Sequence, residues 1–171
     1  MSYELLVLCW SATLTLLIIA AWRDVVTRTI PDTVGLLLVA TGAFARLCDG
    51  PLALAISAGS AALLFAILLI AYARGLVGGG DVKLMTAIAV GLSPLDCYRF
   101  VIAAAIAGGL LGIAYLALAR LLNGQYKTSR PSFLNRVCAI ESWRIRHRSP
   151  LPYGIAIAAG GAFVLLHSGS F

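Results

Sequence analysis

Seven acidic residues occur in the 171-residue chain, and three of them, Asp24, Asp32 and Asp81, stand beside apolar runs where simple solvation at an outer helix end does not account for them. A carboxylate at membrane depth is costly and points to a function by default. Asp24 directly follows the first apolar run, in Trp22-Arg23-Asp24, and Asp81 follows Gly78-Gly79-Gly80 at the head of a shorter run. Two carboxyl groups a few ångströms apart in a low-dielectric setting cannot both ionise, so they share a proton and titrate as a pair. Such a pair can hydrolyse an amide. The ionised partner takes a proton from water, the neutral partner polarises the carbonyl, and a gem-diol collapses as the amine leaves. The alternative, two interfacial acids that merely end their helices, stays open on charge counting alone. Lys83 and Arg28 are placed to tune the pair or to hold a substrate charge. Asp32, after Pro31, reads most simply as the N-terminal cap of the next helix. The glycine triplet implies unusual backbone geometry or the close approach of another segment.

The elements that must position these acids are apolar. Hydrophobic residues make up 61% of the chain and charged ones 12%, and the mean hydropathy is +0.96. An ordinary water-soluble globule is excluded. Runs free of charge cover 5–22, 33–45, 50–73, 84–95, 100–119 and 149–171, and roughly 17 to 25 apolar helical residues cross a bilayer. The spacing predicts an all-α, polytopic membrane protein of one domain with six transmembrane helices, at 5–22, 33–48, 51–73, 82–95, 99–119 and 151–168, and a basic cytoplasmic loop over 120–150. The second helix gains length if Arg46 snorkels, and the fourth is too short unless it starts in a protein-lined cavity. The first run lacks a positive flank and is longer than the core of a secretory signal, so it is kept as a helix.

Eleven of the 13 basic residues fall in the odd-numbered connections, among them Arg23, Arg28, Arg74 and Lys83 and the 120–148 stretch, against Arg46 and Arg99 on the other face. Basic residues stay on the cytoplasmic side, so both chain ends lie outside. Asp24 then ends an inward-running helix and Asp81 begins an outward-running one, which puts both at the same cytoplasmic depth. The net charge of +6 faces an anionic leaflet rather than nucleic acid. Cys9, Cys48, Cys97 and Cys138 have no metal-ligand spacing, and no metal or organic cofactor is indicated. Cys48 and Cys97 fall near the outer face and either pair or serve as small hydrophobes. Gly108 and Gly112 form a GxxxG that lets a neighbouring helix approach, and a homo-oligomer stays open. Phe133, Leu134, Val137 and Ile140, with Trp143, suggest a segment lying on the membrane surface or a solvated basic loop.

At this point the residues resemble a known family. Gly78-Gly79-Gly80-Asp81 with Lys83-Leu84 resembles the GxGD motif of type IV prepilin peptidases, and Asp24 with Arg28, Ile30-Pro31 and Asp32 resembles that family's first aspartate motif. Leu151-Pro152-Tyr153-Gly154 is similar to its final proline-aromatic-glycine segment. The likeness is closest to the short Flp, or tight-adherence, type, since the zinc-binding CxxC insertion of larger relatives is absent. It implies a GxGD intramembrane aspartyl protease fold in the bacterial inner membrane. It also implies catalytic roles for Asp24 and Asp81, with Gly78, Gly79, Gly80, Lys83, Arg28, Pro152, Tyr153 and Gly154 binding substrate or shaping the site. The implied partner is a prepilin, a Flp-type pilin or pseudopilin, whose basic leader is removed at the cytoplasmic face. Asp32 replaces the family's commoner asparagine. Competing readings are a non-catalytic membrane assembly protein and a small proton-coupled transporter subunit, the latter expecting acids near the bilayer midplane.

Overall fold

The computed structural model describes residues 3–27, 31–121 and 153–168. These form six helices: α1 (Tyr3–Thr27), α2 (Asp32–Cys48), α3 (Pro51–Ala73), α4 (Gly79–Ala89), α5 (Pro94–Leu121) and α6 (Tyr153–Ser168). Arg28, Pro152 and the surface segment expected around residues 133–143 lie outside the described residues.

Three helices are long and apolar enough to cross a membrane: Val7–Thr27, Pro51–Ala73 and Pro94–Ala117. The others are shorter. At 1.5 Å per residue α2 and α6 run about 25 Å, and α4 only about 16 Å, against a hydrocarbon core of about 30 Å. The six-span expectation is thus met in helix number among the described residues but in span length by three. The short α4 is compensated by enclosure, since Val82, Leu84, Met85, Ala87, Ile88 and Ala89 are all buried. It packs on α2, α3 and α6, so protein rather than lipid surrounds it.

Boundaries moved for identifiable reasons. α1 runs past 22 to Thr27, because the Arg23-Asp24 pair is carried within the helix rather than after it. α4 begins at Gly79 and stops at Ala89, short of the expected 95. Its successor starts at Pro94 and not at 99, on a serine N-cap. The Ser93 hydroxyl accepts the Asp96 N–H at 3.1 Å and donates to Asp96 Oδ2 at 2.6 Å, while Pro94 takes the first helical position. Asp32 is also not a cap: Pro31 holds that position in extended backbone, and Asp32 is the first helical residue. Its charge still complements the helix dipole.

The core is shared by every helix, through Leu17, Leu38, Ala61, Leu84, Phe100 and Ile157. Small residues let backbones meet where helices cross. A Cβ on Gly42 would lie 2.8 Å from the Gly91 backbone, and one on Gly160 would lie 2.7 Å from the Ala104 nitrogen. At the end of the α2–α3 hairpin, Arg46 does not simply snorkel. Its Nε donates to the buried Ser57 hydroxyl at 2.8 Å and its Nη1 to Asp49 Oδ2 at 2.9 Å. Cys48 is exposed, Cys9 and Cys97 are buried, and all three are free thiols, so the Cys48–Cys97 pairing is not formed.

Candidate active site

The end of α1 and the starts of α2, α4 and α6 come together at one end of the bundle. Asp24 sits one turn before the end of α1 and is buried, with 8% of its surface exposed. Its Oδ2 accepts a 2.8 Å hydrogen bond from the backbone N–H of Gly154, the second residue of α6. The first N–H groups of a helix have no partner within it, so this donor is free to serve the carboxylate. The approach requires glycine. A Cβ at 154 would stand 2.8 Å from Asp24 Oδ2 and 2.9 Å from its Cγ.

Asp81 is the third residue of α4 and half-buried. It stands one turn after Gly78 and lies within electrostatic reach of Asp24. Gly78 is extended, at φ −74° and ψ 145°, and Gly79 and Gly80 are already helical. Neither Gly78 nor Gly79 takes a positive φ, so the unusual backbone geometry expected of the triplet is not found there. What its first two glycines provide is clearance: a Cβ at 78 would be 3.0 Å from Asp81 Oδ2, and one at 79 would be 3.3 Å from the Tyr72 ring.

Tyr153 opens α6 beside this pair. It precedes Gly154, feels the charge of Asp81, and lays its ring against α5 where Gly108 has no side chain. A Cβ there would fall 2.5 Å from the tyrosine hydroxyl. Half of the GxxxG pattern therefore serves packing inside the chain.

Lys83 turns to Asp32 instead, with Nζ donating to Oδ1 at 2.8 Å between exposed side chains. The third acid is thus engaged away from the Asp24–Asp81 pair. A cavity of about 520 Å³ opens between α2, α3 and α4, with Asp32, Leu36, Val39, Phe65, Gly80 and Lys83 on its walls. Neither Asp24 nor Asp81 lines it. Among the described residues no cluster of three His, Cys, Asp or Glu side chains is arranged to hold a metal ion.

A model of the type IV leader peptidase family matches residues 11–113. The chain belongs to that family. The matched stretch carries both Asp24 and Asp81, and it ends before α6. No curated protein and no solved structure matches the chain. As a type IV leader peptidase with three apolar helices of spanning length, it is a membrane peptidase. Reading the sequence missed Tyr72, whose ring covers Gly79, and the use of the Gly154 backbone as a donor. An aromatic one helix earlier gave no signal, whereas a glycine beside the tyrosine that opens a helix did hint at a close approach.

Proposed function

We propose that this type IV leader peptidase is an aspartic endopeptidase in which Asp24 and Asp81 activate water against a peptide carbonyl. The substrate is a prepilin of the Flp type or a pseudopilin, cut after its basic leader at the cytoplasmic face of the bacterial inner membrane. Six membrane-embedded helices, with both chain ends outside, hold the site. One carboxylate takes a proton from water as the hydroxide bonds to the carbonyl carbon, and the other carboxyl protonates the carbonyl oxygen. The C–N bond then breaks, the amine leaves with a proton, and the pair regains its single shared proton.

The observation that carries this reading is the convergence of Asp24, Asp81 and the Tyr153-Gly154 start of α6 at one end of the bundle. Peptide hydrolysis needs an unwound segment, and such a segment is tolerated at the membrane boundary or where protein and water line it. A site at helix ends suits that need. Asp24→Asn and Asp81→Asn, each tested separately with precursor and mature pilin resolved by gel mobility, are expected to leave the precursor uncut. Normal processing by both variants would end this reading.

A further inference from the structure

Resting on the aspartyl peptidase reading, we propose that the cavity between α2, α3 and α4 seats the substrate's apolar helix, the segment that follows the basic leader. The seat holds the bond to be cut beside Gly80, from where it reaches the two acids.

The cavity has the dimensions and the lining of a helix seat. Its volume is about 520 Å³. Its α2 wall runs from Asp32 to Val39, about 10 Å at 1.5 Å per residue, or two turns of a docked helix. Small residues, Gly35, Thr86 and Ala87, line it between the larger Leu36 and Phe65. In a bilayer, small residues admit the backbone of another helix, and close packing rather than transfer from water holds the two together. Two glycines of α2 show the contrast. Gly42 is pressed against Gly91, whereas a Cβ on Gly35 would meet nothing within 4 Å. A glycine inside a helix is unfavourable relative to alanine, and at 35 no contact among the described residues accounts for it. A flexible lipid tail has no need of such a surface, but a second helix does.

The ends of the cavity fix which helix fits. Of the described residues that line it, only Asp32 and Lys83 are charged, and both stand at the active-site end. Polarity therefore changes once along the groove, from charged at the helix starts to apolar beyond them. An apolar helix preceded by a basic leader has the same profile. Asp32 keeps 79% of its side chain exposed despite its bond to Lys83, so it is open to a cation of the leader. Gly80 is exposed on the cavity wall, and Asp81 follows it. With no side chain at 80, an unwound segment leaving the seat can cross α4 there toward Asp81 and Asp24. The third glycine of the triplet thus has a use distinct from the clearance that the first two provide.

The test traps the occupant. A benzophenone amino acid is placed at Leu36, at Phe65 or, as a control, at Ile67, which is exposed on α3 but off the cavity wall. The full chain also carries Asp81→Asn and is co-expressed with an epitope-tagged precursor pilin that the parent enzyme cleaves. On irradiation, positions 36 and 65 should give a precursor adduct far stronger than position 67. Adducts with lipid alone, adducts between two copies of the enzyme alone, or equal precursor adducts at all three positions would overturn the proposal. Gly35→Leu fills the cavity and should raise KM for the same precursor about tenfold or more with kcat unchanged. Gly59→Leu, likewise with nothing within 4 Å of its Cβ and off the cavity wall, should leave both constants at the parent values. An unmoved KM at 35, or an equal rise at 59, would also overturn the proposal. Should Gly35→Leu not fold, the adducts decide alone. Precursor that Asp81→Asn still cuts refutes the aspartyl pair itself, whereas uncut precursor with no adduct at 36 or 65 refutes the seat alone.

Discussion

Lys83 Nζ meets Asp32 Oδ1 at 2.8 Å, joining the second turn of α4 to the first turn of α2 across 51 positions of sequence. The two side chains are 67% and 79% exposed, and exposed pairs contribute about 0–1 kcal/mol. Lys83→Met and Asp32→Asn should each lower the melting midpoint by no more than about 2–4 °C. Half-molar salt should erase the difference between variants and parent, because screening already weakens such a pair. A drop of ten degrees, or one indifferent to salt, would mean that the bridge is not the exposed contact described here.

Gly42 and Gly91 mark the tightest crossing of α2 with the segment after α4. A methyl group on either would stand 2.8 Å from backbone atoms of the other, and backbone cannot rotate aside as a side chain can. Gly42→Ala or Gly91→Ala should cost about 1–3 kcal/mol. The double variant should cost less than the sum, because the first methyl already separates the helices. Thermal denaturation of the four proteins in one detergent checks both claims. Free tolerance of either alanine would place the crossing elsewhere.

Much of the arrangement was legible because charge is scarce in this chain. Asp24 and Asp81 could be set at one depth from the distribution of lysine and arginine alone, and the structure puts them at one end of the bundle within electrostatic reach of each other. Helix α3 was bounded by Asp49 and Arg74 on its flanks and came out at Pro51–Ala73. Other edges were obscured by the same logic. Treating charges as helix ends cut α1 before Arg23 and started α5 at Arg99, although Ser93-Pro94-Leu95-Asp96 spells out a helix N-cap. The Asp32 cap failed because Pro31 already holds the extended position before the helix. Contacts such as Tyr72 on Gly79, or Arg46 on Ser57, depend on how helices rotate about their axes, and hydropathy does not encode that rotation.

Cys48 offers a direct reading of orientation. It is exposed at the end of α2, opposite in the bundle to Asp24 and to the start of α4, whereas Cys9 and Cys97 are buried. In intact cells a membrane-impermeant maleimide should label Cys48, and Cys48→Ser should remove most of that signal. The fourth thiol, Cys138, belongs to the basic connection between α5 and α6 and should react only after lysis. Labelling of Cys138 first would reverse the topology and place the acid pair outside.

Gly108 and Tyr153 supply the last test, which separates packing from chemistry. An alanine at 108 would put its Cβ 2.5 Å from the Tyr153 hydroxyl, closer than carbon and oxygen tolerate, so the ring must leave its seat or α5 and α6 must part. Overpacking of this kind costs about 1–3 kcal/mol. Because Tyr153 precedes the residue that donates to Asp24, displacing it should also shift the carboxylate, and small misplacements can cost about a hundredfold in rate. Gly108→Ala is therefore expected to lose stability and activity together. Adding Tyr153→Ala should return part of the stability, since the clash is gone, but none of the activity. Melting curves and cleavage rates on the three variants decide it. A double variant that recovered cleavage would show that the tyrosine ring only fills space, and one that recovered neither would show that the strain lies in the backbones of α5 and α6.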